Sequence, residues 1–201
     1  VTVSSIGVTL QENGNPVSYR NYLKDDWSDS GSGELLTNLV PEGETLLPGK
    51  RYAESLSVLN SGAIDTYVRV TLYRSWQDSQ GNKLTELSPE LIEFDLTENS
   101  GWIVDEKAST PERMVLYYTR LIPSNASTPA LSRGVGVSND IYREVEEITV
   151  RETQEGKTFQ TKYRYDGCWM SVKAEVEAVQ THNAAVAIKS AWCVDADVAS
   201  D

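Results

Sequence analysis

PGKRYAESLSVLNSGAIDTYVRVTLYRSW, from Pro48 to Trp76, carries two alternating segments separated by a turn signal. In the first, Leu56 and Val58 alternate with Ser55 and Ser57. In the second, Val68, Val70 and Leu72 alternate with Arg69 and Thr71. A period of two places apolar side chains on one face of a sheet and polar ones on the other. Between the arms, Asn60-Ser61-Gly62 supplies residues that tolerate positive φ and bond to their own backbone, so the chain reverses there. The stretch is expected to be the central hairpin of a β-sandwich.

The flanks extend the pattern. Residues 1–10, VTVSSIGVTL, hold Val1/Val3 and Ile6/Val8/Leu10, with a change of parity at Ser4-Ser5 that one bulged strand explains. QENGNP, residues 11–16, is a turn. Residues 19–47 read as mostly irregular, with the Ser/Gly/Asp cluster of residues 25–34 as a surface loop. Downstream, LIEFDL (91–96) is a strand. WIV (102–104) and RMVLYYTRL (113–121) form a hairpin whose second arm, apolar on both faces, belongs in the middle of a sheet. Residues 145–152 and 158–165 flank Gln154-Glu155-Gly156 as another hairpin, and Met170–Gln180 is the most regular strand in the chain. Asn183 caps an expected short helix over Ala184–Trp192, apolar on one side. Many short strands, one C-terminal helix and no βαβ alternation predict an all-β, jelly-roll-like sandwich of two antiparallel sheets.

The chain has 201 residues, the size of one large sandwich around one core. Its 18 basic and 30 acidic residues give a formal charge of −12, the wrong sign for wrapping phosphates, so nucleic acid is not expected as a partner. No run approaches the ~20 apolar residues of a membrane-crossing helix. The chain opens at Val1 within a strand-like pattern, as an exported protein does once its targeting segment is gone; a trimmed chain would look the same.

Candidate chemistry is sparse. The single histidine, His182, has no second histidine to build a HExxH zinc motif, and any Ser-His-Asp triad would have to use it. No GxSxG occurs, and Gly134-Val135-Gly136 lacks the third glycine of a phosphate cradle. Glu146-Glu147 and Asp25-Asp26 are acidic pairs of the kind that usually line a solvated edge. The cluster at 25–34 lacks EF-hand spacing and offers at most weak calcium binding. The expectation is therefore a non-enzyme with no catalytic residue, cofactor or metal site. Cys168 and Cys193 are open to two readings, a disulfide in an oxidising compartment or two separate thiols. Of the five tryptophans, Trp169 falls on the wet face of its strand, where an indole can stack on a sugar.

Three segments together resemble the TasA/camelysin family of exported proteins of Gram-positive bacteria, whose signal peptide is removed by a SipW-type peptidase. They are LSVLNSGAIDTYVRV (56–70), SGWIVDE with TPERMVLYY (100–106 and 110–118), and above all EVEAVQTHNAAVAIKSAW (175–192). The resemblance implies a jelly-roll sandwich, a secreted protein of the extracellular matrix or cell surface, and assembly into biofilm-matrix or surface filaments. In such filaments the N-terminal strand of one subunit completes a sheet of the next. Camelysin-type relatives are described as metalloproteases, an activity that the missing zinc motif makes doubtful here. The cysteine pair is not part of the family pattern.

The residues supply a mechanism for that assembly. Residues 1–12 are expected to be a donor strand outside a single sandwich domain of residues 13–201. Val1, Val3, Ile6, Val8 and Leu10 would be buried in a neighbouring copy, at about 1.5–3 kcal/mol for each large side chain. Such donation runs head to tail, does not close, and gives a homopolymer. Cell-wall or other matrix components are further expected partners. The competing expectations are that the segment pairs within its own subunit, or that the chain is a carbohydrate- or host-binding adhesin using Trp169.

Overall fold

The computed structural model describes residues 5–23 and 26–179. Among them fourteen strands follow in order: β1 (Ile6–Glu12), β2 (Asn15–Leu23), β3 (Asp26–Ser30), β4 (Arg51–Ala53), β5 (Leu56–Asn60), β6 (Tyr67–Gln77) and β7 (Lys83–Leu84). Then come β8 (Ile92–Leu96), β9 (Trp102–Val104), β10 (Arg113–Tyr118), β11 (Ser132–Val137), β12 (Val145–Thr153), β13 (Gly156–Tyr163) and β14 (Trp169–Val179). Every ladder between them is antiparallel. The all-β sandwich is as the alternation predicts.

One layer is the sheet β14-β6-β10-β9, with β7 added to β6. The other joins two sheets, β3-β2-β1-β5 and β4-β11-β8. They are sewn together because the chain entering β11 runs beside β5: Thr128 N–H donates to Val58 O and Leu131 N–H to Leu56 O, each at 2.8 Å. Between the layers lies one core. Val8 and Leu10 of β1, Leu56 and Val58 of β5, Val68, Val70 and Leu72 of β6, and Val172, Ala174 and Val176 of β14 meet there, all essentially sealed from water.

Two expectations are corrected by this arrangement. The Pro48–Trp76 stretch does contain two strands, yet they do not pair with each other. β5 pairs with β1 and β6 with β14 and β10, so residues 61–66 arch from one layer to the other. Asn60 holds the arch: its amide nitrogen donates to Ile64 O and Ile122 O, and its side-chain oxygen accepts from Gly62 N–H. Second, the cluster of residues 25–34 is not simply a surface loop, since β3 takes residues 26–30; residues 19–47 are otherwise mostly irregular, as expected, from residue 31 onward. The tight turn that launches β2 is Asn13-Gly14, with φ of 49° and 83°, the left-handed pair that a two-residue hairpin requires.

The donor-strand assignment changes as well. In the single chain β1 is not spare; it is a central strand. It pairs with β2 from Ile6↔Tyr22 to Glu12↔Asn15 and with β5 from Val8↔Asn60 to Glu12↔Leu56. Val8 and Leu10 have no exposed surface, while Ile6 at the strand end is half-buried. Residues 6–12 belong to the sandwich and do not form a separate segment, because both backbone edges of β1 find partners at home. Val1 and Val3 lie outside the described residues, as do His182, Cys193 and the expected helix over 184–192.

Candidate interaction surface

Among the described residues, four places carry chemistry beyond the core. The first is a buried acid pair at the corner where β1 ends and β4 gives way to β5. Asn13 and Ser55 lock this corner reciprocally: Asn13 N–H donates to Ser55 O, and Ser55 N–H donates to Asn13 Oδ1, each at 2.8 Å. That lock brings Glu12 against Glu54, whose side chain is 1 % exposed. Burial pushes the Glu54 carboxyl up to about 9, and the hydrogen bond and negative charge of Glu12 push the same way. At neutral pH Glu54 therefore holds its proton beside Glu12, whose Oε2 also accepts from Leu36 N–H at 2.9 Å. Among the described residues, no hydrogen-bond partner reaches Glu54 Oε1. Sequence reading missed this pair, because a glutamate between Ala53 and Ser55 is normally exposed.

The second place is β11. Gly134 and Gly136 are not a phosphate cradle. A Cβ on Gly134 would sit 2.7 Å from Asp95 Oδ2, and one on Gly136 the same distance from the Arg51 guanidinium. The glycines make room for an ion network laid across the sheet, in which Arg51 reaches Asp95 at 2.6 Å and Glu93 at 3.1 Å.

The third is Trp169, at the start of β14 and 65 % exposed, as the strand parity predicts. It borders an open groove of about 510 Å³ with Gln77, Asp78, Ser79, Glu34 and Thr37. Asp78 is occupied by its own turn: its carboxylate accepts from the Gln80 and Asn82 N–H groups at 2.9 Å. Those bonds, from Asn82 above all, hold it below the usual carboxylate range. Cys168, just before it in the chain, is half-buried with its thiol 3.1 Å from Arg164 O, and burial raises its pKa. Its expected partner position is outside the described residues. Trp76 and Trp102 instead serve the core, each anchoring its indole N–H on a carbonyl, of Ser88 and Pro129 respectively.

The fourth is the hairpin β12–β13. The strands occur where the sequence places them, but they do not join either layer. They pair only with each other among the described residues, and nearly every residue in them is exposed. Tyr163 and Tyr165 stack at 5.0 Å between ring centres, with Tyr142 edge-on to both at 6.1 Å, and this aromatic cluster fixes the base of the arm. Glu146-Glu147 lies in this arm, with Glu146 3.4 Å from Lys162. Asp26 lies in the exposed edge strand β3, whose Trp27 is covered by Arg20 at 4.8 Å.

Among the described residues no three His, Cys, Asp or Glu side chains converge as metal ligands. None of their helices is long and apolar enough to cross a membrane. Compared with family models, curated proteins and solved structures, the chain matches none.

Proposed function

We propose that this chain is a non-enzymatic structural subunit of an extracellular filament, of the biofilm-matrix or cell-surface kind, that adds to copies of itself through open sheet edges. The observation that carries the reading is the edge of β3. Residues 26–30 are all exposed, pair with β2 on one side, and meet no other strand among the described residues. An edge of this kind offers a row of backbone N–H and C=O groups to any strand that reaches it. The TasA/camelysin resemblance of residues 56–70, 100–106, 110–118 and 175–192 supports the same reading. Residues 6–12 are committed to the core, so the contact falls to such edges and not to that strand. Negative-stain electron microscopy of the purified chain tests the proposal: fibres are expected, and dispersed particles at every concentration would overturn it.

A second reading, a carbohydrate-binding surface module, is favoured by the exposure of Trp169 beside its open groove. Glycan-array binding that vanishes in Trp169→Ala would support it. An array silent for the wild-type chain would remove it.

A further inference from the structure

The β12–β13 arm has a feature that the filament reading does not use. Within the hairpin Val150 stands opposite Phe159 and Ile148 opposite Thr161, so Ile148, Val150 and Phe159 share one face. They are 59 %, 50 % and 68 % exposed. A two-stranded ribbon with one uncovered apolar face is marginal by itself and gains from further strands.

The charges indicate which strand. Around Thr149 the residues of β12 are chemically symmetric: Ile148 and Val150 lie next to it, then Glu147 and Arg151. Two copies of β12 laid antiparallel with their Thr149 residues opposite bring Ile148 against Val150 of the second copy. Glu147 then meets Arg151 of the second copy. The two-fold axis makes each contact twice, and parity is kept, so the apolar face runs on across the junction. Other registers of the same parity are worse. With Val150 on the axis, Ile148 faces Glu152; with Ile148 on the axis, Val150 faces Glu146. At the ends of the favoured register Glu146 faces Glu152, but each already has a lysine at 3.4 Å, Lys162 and Lys157 respectively.

Other pairings of this arm are less favourable. β13 against itself presents Lys157 and Lys162 with no acid between them. Repeating the β12–β13 pairing from copy to copy would space the bodies by two strands, roughly 10 Å, less than the roughly 14 Å width of a four-stranded sheet. The two-fold pairing sends the bodies to opposite ends of the ribbon.

We infer that β12 is a homodimer edge: two copies join β12 to β12 about Thr149, making the four-stranded sheet β13-β12-β12-β13. A two-fold contact closes on itself and yields a pair, so this goes beyond the filament reading and does not depend on it.

Sedimentation equilibrium of the full chain over a concentration series tests it, with far-UV circular dichroism reporting that each variant is folded. Below the concentration at which fibres form, the wild type is expected to reach twice its 22.3 kDa. R151E sets Glu against Glu and should weaken the pair roughly tenfold, as should E147R, which sets Arg against Arg. Mixing the two variants should restore a dimer that neither forms alone. With both native cysteines replaced by serine, T149C should cross-link to itself on mild oxidation, and T153C should not. A wild type that stays monomeric would overturn the inference and leave the edge to a strand from a different protein. So would a dimer indifferent to both charge variants in which T149C does not cross-link. Absence of fibres in micrographs, with the dimer intact, would count against the filament reading alone.

Discussion

Gly7 and Gly62 lie backbone against backbone. The Ser61 and Gly62 N–H groups both donate to Gly7 O, at 2.9 and 3.1 Å, and Ala63 N–H donates to Ser5 O at 2.9 Å. The arch between the layers is thereby stitched to the start of β1. A Cβ on Gly62 would stand against the backbone nitrogen of Gly7, where only main-chain movement could relieve it. Gly62→Ala is therefore expected to lower stability by about 1–3 kcal/mol, as overpacking does, measured by urea unfolding. An unchanged midpoint would show that the two segments are not in contact.

The same stitching fixes what happens when the N-terminal strand is cut back. Val8 and Leu10 are fully buried in the core on β1, which lies between β2 and β5 in its sheet. Leu10→Ala should cost about 2–5 kcal/mol. Removal of residues 1–12 should leave a chain without cooperative unfolding, because β2 and β5 would each lose a neighbour. A truncated chain that still unfolds in one sharp transition would restore these residues to the role of a detachable donor.

Glu54 gives stability a pH dependence of unusual sign. Its carboxyl titrates in the folded chain at about 9, above the ordinary glutamate value near 4.5, so the folded state holds the proton more tightly than the unfolded one. The stabilisation is complete below about 4.5 and is lost progressively as pH rises toward 9. Thermal unfolding should show this loss as a melting temperature that declines across that window. Glu54→Gln, which keeps the donor and removes the titration, should flatten the decline and raise the melting temperature at the alkaline end. An identical slope in the variant would remove the acid pair from the account.

Trp169 separates the surface from the core. Its indole is exposed, and Trp169→Ala should change stability by no more than about 0.5 kcal/mol in chemical denaturation. Trp76, 5 % exposed and bonded to Ser88 O, should cost about 3–5 kcal/mol when cut to alanine. Equal losses at the two positions would mean that the parity of β14 is misassigned.

Strand existence was legible in this sequence wherever one face is dry. β6, β8 and β14 alternate visibly, and β10, apolar on both faces, does lie between β6 and β9. Its outer face, Val115 and Tyr117, is covered by the 105–112 segment through Ala108, which explains the lack of a wet side. Partners were not legible. Leu72 meets Ala174, a hundred residues away, and no local pattern distinguishes that pairing from a hairpin with Leu56 or Val58. β2 was missed because its apolar positions are diluted by Ser18, Arg20 and Asn21 near the layer's edge, although Asn13-Gly14 announces a hairpin. The acid pair left no trace in the pattern, since it exists only where the ends of β1 and β4 are brought together. The hairpin β12–β13 was visible as strands, yet alternation does not tell whether an apolar face is covered by its own chain or by another.

In the proposed filament, open strand edges join copies of this chain. The most direct measurement is negative-stain electron microscopy of the purified wild type beside Ser28→Pro, a substitution that puts a residue without an N–H into β3. Fibres from the wild type, and their loss in a Ser28→Pro chain that circular dichroism shows to be folded, is the predicted result. Dispersed single particles from the wild type, or fibres that Ser28→Pro leaves unaltered, would contradict it.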